Sequence, residues 1–286
     1  MPREEKQVFM PSKKSNIIYE NWKVYSRHHK LMFRCNEKKA RWYLEKKLAM
    51  VLPNEERAIK LNFEAKGDGH NQGDYMVEDR SNICVSCGGS EYLTMHHVVP
   101  EMYRHWMPLV VKSKSSRDLL LLCKNCHDAY EQKATRLKKA GVKRFNIPLE
   151  GSGWCTFPEY KQAKKAASAL LRSSDKIPLD RQELLKTTIL DFWKEYDKKQ
   201  YKGDNLHDIL KECSELVDHF KGPDYVEHGQ SVINQLTSKC VLNSKGQETW
   251  PDLESFIKGW RQHFLDNLQP KHLSDLWSVD ADIYTR

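Results

Sequence analysis

The sequence predicts an α+β chain in which a zinc-stapled unit of two strands and a helix sits between an N-terminal hairpin–helix unit and a C-terminal helical domain. Three observations predict it. Two CxxC pairs, Cys84-x-x-Cys87 and Cys123-x-x-Cys126, bracket the pair His96-His97, and His127 follows the last cysteine directly. Short apolar stretches with strand character flank those cysteines. Beyond Gly141 the texture changes to amphipathic helices.

With 286 residues, 39% of them apolar, and eight tryptophans, the chain can bury a substantial core. No run approaches the ~18 apolar residues of a membrane span, and Met1-Pro2-Arg3-Glu4-Glu5-Lys6 has neither a signal-peptide apolar region nor the acid-poor character of a transit peptide. An intracellular protein is expected, with nucleus and mitochondrion not distinguished and the oligomeric state not indicated. In a reducing compartment paired CxxC units are metal ligands rather than bridges. Each pair folds back on itself and offers two sulfurs, so the two together can close a four-thiolate Zn²⁺ site. Cys35, Cys155, Cys213 and Cys240 stand singly and are expected as small buried hydrophobes.

The net charge of +8 is unevenly spread: residues 1–150 carry 28 Lys/Arg against 18 Asp/Glu, and residues 151–286 carry 19 against 21. Basic surface beside a metal site favours a polyanionic partner, since neutralising phosphates releases counterions. The same excess is also what an ordinary solvated basic face shows.

The elements follow in order. Residues 1–15 form a polar tail. A unit over 16–80 opens with a hairpin, Trp22-Lys23-Val24-Tyr25 and Leu31-Met32-Phe33-Arg34-Cys35, whose polar turn contains His28-His29. Asn36 caps a basic helix expected over Glu37 to Val51, with Pro53 at its end, and a strand is expected over Ala58 to Glu64. A Gly/Asp/Asn-rich loop from Lys66 to Asp74 leads to the first knuckle. In the 81–141 module, Leu93-Thr94-Met95-His96-His97-Val98-Val99 is a strand closed by Pro100, and Asp118-Leu119-Leu120-Leu121-Leu122-Cys123 a more buried one. A helix from Cys126 to Lys139, stopped by Gly141, completes strand, strand, helix. His127 and Glu131, four apart, face the same way, and both can approach an ion held over the strand. Adjacent strand residues point to opposite faces, so His96 and His97 can serve one site only where the strand ends or bulges. Over 142–286, helices are expected at about 158–172, 180–198, 205–220 and 251–268, with Asp180 and Glu183 as a capping box and Pro251 in a first turn.

Cys84, Cys87, His96, His97, Pro100, Asp118, Cys123, Cys126 and His127 together resemble the HNH, or ββα-metal, nucleases over about residues 82–140. The resemblance implies that His97 is the general base that activates water, that His96 and His127 hold a catalytic Mg²⁺ or Mn²⁺, that Asp118 orients the base, and that Glu131 falls where some relatives place a further metal ligand. A divalent ion polarises the scissile phosphate, and a neutral imidazole can take the proton of water. Lys112, Lys114 and Arg117, in the loop before the second strand, are candidate phosphate contacts or simply solvated loop residues. A wider likeness, carried on Arg41-Trp42-Tyr43-Leu44-Glu45, Asp118 to Cys123 and Trp260-Arg261-Gln262-His263-Phe264-Leu265-Asp266, is to the C-terminal region of exonuclease 3′-5′ domain-containing proteins. The exonuclease domain that precedes that region in the family is not seen in this chain, so only HNH-like chemistry is implied.

The expected function is therefore metal-dependent endonucleolytic hydrolysis of nucleic acid, DNA favoured over RNA. A zinc-stapled module that binds nucleic acid or a protein partner without cutting is the alternative, and a zinc site beside an unrelated metal-dependent hydrolase is a third.

Overall fold

The computed structural model of the chain describes residues 17–65, 67, 69–71, 73–196 and 205–285. The expected tail over 1–15 lies outside them, as do parts of the 66–74 loop and the end of the helix expected to reach 198. Strands β1 (Trp22–Tyr25) and β2 (Leu31–Cys35) form the expected antiparallel hairpin, with His28 and His29 in its turn and His29 at φ 61°. Helix α1 (Glu37–Glu45) starts where Asn36 accepts from the Lys39 amide at 2.9 Å. It ends six residues short of Val51, because Lys47 turns into the left-handed region at φ 54° and the chain becomes strand β3 (Ala49–Val51). β3 pairs with β4 (Ala58–Leu61), which runs parallel to β1, giving the sheet order β2-β1-β4-β3. Val24, Met32, Ala40, Ala49, Ile59 and Leu61 are its buried core.

Strand β5 (Leu93–His97) follows the first knuckle, and two short helices, α2 (Glu101–Arg104) and α3 (Leu109–Lys112), precede β6 (Leu119–Cys123). β5 and β6 pair antiparallel without a bulge, from Leu93 opposite Cys123 to His97 opposite Leu119. Helix α4 (Lys124–Phe145) continues straight through Gly141. A glycine inside a helix costs about 1 kcal/mol against alanine, and burying Phe145 and Ile147 beyond it offsets that. The stop is Asn146, left-handed at φ 50°, with Pro148 after it.

Residues 150–227 form a compact unit of their own. Strand β7 (Ser152–Thr156) pairs antiparallel with β8 (His219–Val226), and α5 (Pro158–Ser173), α6 (Leu179–Tyr196) and α7 (Leu206–Glu215) lie between them in sequence. Ala163, Ala166, Ala167 and Leu170 give α5 an apolar stripe at helical spacing, packed with Ile189, Trp193, Ile209 and Cys213. The helix expected to reach Phe220 ends at Glu215, since Phe220 is taken up by β8.

The chain then rejoins the first unit, which comprises the residues up to 149 together with 228–286. Helix α8 (His228–Leu236), the short hairpin β9 (Val241–Leu242) and β10 (Glu248–Thr249), and α9 (Pro251–Leu268) belong to it. His228 is fully buried, donating from Nδ1 to the Ile147 carbonyl at 3.0 Å and accepting at Nε2 from the Tyr103 hydroxyl at 3.1 Å. Leu253, Ile257, Trp260 and Phe264 of α9 share one core with Leu120, Leu121, Leu122 and Tyr130. The span 142–286, expected as one helical support domain, is thus divided: its middle is separate, and its end completes the core around β5, β6 and α4. No helix among the described residues is long and apolar enough to cross a membrane.

Candidate metal centre and active site

The two knuckles meet at the foot of the β5–β6 pair. Cys84 and Cys87 lie in a tight loop where the Gly88 amide donates to the Cys84 carbonyl at 2.9 Å and the Cys84 amide to the Gly89 carbonyl at 2.8 Å. Gly88 is at φ +78°, and a Cβ there would fall on the His272 ring, so only glycine fits. Cys123 ends β6 and Cys126 lies in the first turn of α4. The four sulfurs lie within 4.8 Å of one another, with Cys87 and Cys123 at 3.7 Å. Zn–S bonds of about 2.3 Å in a tetrahedron require sulfur–sulfur edges of roughly 3.8 Å, so the donor set fits such an ion. Burial pushes the Cys126 thiol up to about 12 and raises that of Cys123, whereas the Gly89 amide lowers that of Cys87. A divalent cation would deprotonate all four.

A second cluster is separate from the sulfurs. Thr94 and His96 alternate onto the face of β5 that meets α4, where His127 and Glu131 stand one turn apart. His96 Nδ1 and His127 Nε2 are 3.0 Å apart, and Glu131 Oε1 is 3.7 Å from the first and 3.9 Å from the second. Those separations leave one point roughly 2.1 Å from all three atoms, a metal–ligand bond length for nitrogen and carboxylate donors. The surroundings fix the protons. The Thr94 hydroxyl donates to the Leu122 carbonyl at 2.8 Å and therefore accepts from His127 Nδ1–H at 2.7 Å, which leaves the Nε2 lone pair facing the cluster. The His96 ring stacks on Phe264 at 5.7 Å and meets Tyr130 edge-on at 5.1 Å, and its Nε2 is buried without a partner. Burial depresses the pKa of His96 well below the ordinary imidazole value and lowers that of His127, so both are neutral at pH 7, as ligation requires.

His97, the last residue of β5, points to the opposite face and is not part of this cluster. Its Nε2 lies 4.0 Å from Glu101 Oε2, and Glu101 is in turn bonded by Arg104 at 2.9 Å. Burial first, then the Arg104 charge, lower the His97 pKa, against an opposing pull from Glu101. His97 Nδ1 is buried without a partner. Asp118 is not aimed at His97: both its oxygens are held by Arg261, from Nε at 2.9 Å and Nη2 at 3.0 Å. Of the three expected phosphate contacts, Arg117 is buried, with Nη2 on Asp74 at 2.7 Å and its guanidinium over Tyr75, which removes it from the surface. Lys114 pairs with Asp282 at 3.3 Å, and Lys112 donates to the His105 carbonyl at 3.1 Å.

Four contributors escaped the sequence reading. Thr94 shares the strand face of His96 two residues earlier, a signal available from strand periodicity. Lys138, seven residues after Glu131, donates to Glu131 Oε2 at 3.1 Å. Arg261 and Phe264 come from α9, and nothing local to the cysteines points to them.

Residues 84–133 match the family model described as HNH endonuclease. The human protein named exonuclease 3′-5′ domain-containing protein 2 is 33% identical over 94% of this chain and 41% of its own length. The mouse protein of that name is 31% identical over 94% of the chain and 39% of its own length, and the Arabidopsis thaliana protein RRP6-like 3 is 31% identical over 60% and 22%. The chain spans about two fifths of the human and mouse relatives. No solved structure gives a significant match. These findings point to a nuclease-related function.

Proposed function

We propose that a chain with an HNH endonuclease segment at 84–133 is a metal-dependent endonuclease that hydrolyses phosphodiester bonds within nucleic acid, DNA before RNA. The main support is the convergence of His96 Nδ1, His127 Nε2 and Glu131 Oε1 within 4.8 Å, apart from the four cysteines. The human and mouse relatives are named for an exonuclease domain, and the segment shared with them is a minor part of each, so the proposal rests on the residues of 84–133 alone.

In this proposal Cys84, Cys87, Cys123 and Cys126 hold a structural Zn²⁺ that pins β6, the start of α4 and the first knuckle together. His96, His127 and Glu131 hold Mg²⁺ or Mn²⁺. When bound, that ion supplies Lewis-acid polarisation of the phosphodiester and stabilises the leaving oxygen. The HNH pattern casts His97 as the base: it stands at the end of β5 on the face away from the ion, so in this proposal the substrate passes round that end of the strand for His97 Nε2 to take a proton from water, and Glu101 stabilises the imidazolium that results. Asp118 acts through structure, fixing the start of β6: its carbonyl accepts from the Val98 amide at 2.9 Å, directly after His97.

A second reading, a zinc-stapled module that grips nucleic acid or a protein without cutting, is favoured by one observation. His96 and His127 are each only 3% exposed, so substrate would meet the site mainly past Glu131. Nicking of supercoiled plasmid separates the two. With Zn²⁺ retained by the four cysteines and Mn²⁺ or Mg²⁺ added, the wild type should nick, and His127→Ala and His97→Ala should be inert while remaining folded. Equal inertness of wild type and variants across metals and substrates would leave only the binding module.

A further inference from the structure

Lys138 lies two helical turns beyond Glu131 on α4, on the same face. Its ammonium donates to Glu131 Oε2 at 3.1 Å, while Oε1 of that carboxylate faces the two imidazoles. The side chain is 18% exposed, so its stem is packed and its head is held in place.

This placement is unfavourable for a site whose only task is to hold a cation. Two neutral imidazoles and one carboxylate leave a divalent ion with one net positive charge, and Lys138 adds another a single carboxylate away, where like charges repel. It is favourable for a site that must also receive an anion. An ammonium has three donors, and Glu131 takes one of them among the described residues.

We propose that Lys138 binds a non-bridging oxygen of a phosphate seated at the His96–His127–Glu131 ion, and so is an anion-binding residue of the active site. The proposal rests on the metal-site part of the function proposed above and not on cleavage.

The test uses the full chain as wild type, Lys138→Met, Lys138→Gln and Lys138→Arg, with Mn²⁺ as the metal and inorganic phosphate as the probe. Mn²⁺ affinity is measured by calorimetry, and phosphate contact by Mn²⁺-induced broadening of the phosphate ³¹P signal. Lys138→Met and Lys138→Gln should bind Mn²⁺ at least as tightly as wild type and lose the phosphate broadening, and Lys138→Arg should retain it. Where plasmid nicking is measured, the neutral variants should lose about hundredfold to thousandfold in rate, as for one missing donor to transition-state charge. A drop of ~10-fold or more in Mn²⁺ affinity in the neutral variants, the usual result of removing a residue that only orients a ligand, would overturn the proposal. So would phosphate broadening that persists in them or is absent from wild type. A protein with Lys138-dependent phosphate contact that never nicks DNA sinks the nuclease and keeps Lys138; one that nicks equally well without the lysine does the reverse.

Discussion

Arg261 of α9 grips both oxygens of Asp118 across 143 residues of sequence, at 2.9 and 3.0 Å, with both side chains at most 5% exposed. The same guanidinium donates to the Val279 and Ala281 carbonyls at 3.0 and 2.7 Å, so it fastens the C-terminal segment to the start of β6. Removing one partner of a buried pair leaves an uncompensated charge and costs about 3–5 kcal/mol. Arg261→Met should therefore lower stability by that amount in urea unfolding, and Asp118→Asn by less, since the amide still accepts one bond. A loss below ~1 kcal/mol for Arg261→Met, the scale of an exposed ion pair, would show that the clamp is not holding the module together.

The relation between Thr94 and His127 makes a different prediction. Thr94→Val keeps the shape of a buried residue and deletes the acceptor that fixes the His127 proton on Nδ1. Second-sphere losses of this kind cost about 10–100-fold in metal affinity. Mn²⁺ titration of Thr94→Val should show that loss, while the metal held by the four cysteines is retained at wild-type stoichiometry in elemental analysis. Unchanged Mn²⁺ affinity would mean that the hydroxyl has no part in orienting the ring.

The four sulfurs should behave as staple rather than as chemistry. Because a bound structural ion contributes folding free energy directly, Cys84→Ser or Cys123→Ser should give aggregated or insoluble protein and lose one equivalent of zinc. Soluble, folded variants with full zinc content would place the ion elsewhere.

What the sequence reveals follows from how far apart the cooperating residues are. The knuckles, the His96-His97 pair and the His127–Glu131 spacing are local, and strand and helix periodicity fix which side chains can meet. So which side chains come together in the two clusters is legible, as is the fact that adjacent strand residues diverge, which is what separates His97 from His96. The span Ala49–Val51 fits the end of a helix as well as a short strand, and it becomes β3 because Lys47 turns left-handed and β4 pairs with it across a short loop. For Arg261 and Phe264 distance is the reason: an amphipathic pattern shows that α9 buries a face, not that the face lies on Asp118 and His96. Arg117 looked like a solvated loop cation because composition does not show that Asp74 and Tyr75 close over it.

Acid should unfold this protein partly through His96. Burial holds its folded pKa well below the ordinary value near 6.5, and His127 and His97 are shifted the same way. Below about pH 6.5 the unfolded chain takes up protons that these rings in the folded protein do not, so stability is fully present above that value and falls as the pH drops towards the folded pKa values. Each such group can contribute a slope of up to ~1.4 kcal/mol per pH unit. Urea unfolding of the zinc-loaded protein, with no Mn²⁺ or Mg²⁺ added, between pH 7.5 and 5 should show stability declining with acid, and His96→Asn should decline less steeply, because one depressed imidazole is gone while the thiolate site is unchanged. Parallel curves for wild type and His96→Asn would mean that this ring titrates alike in both states. Plasmid nicking should lose its rate over the same acid range as His97 gains its proton, and a rate that is flat from pH 7.5 to 5 would remove His97 as the base.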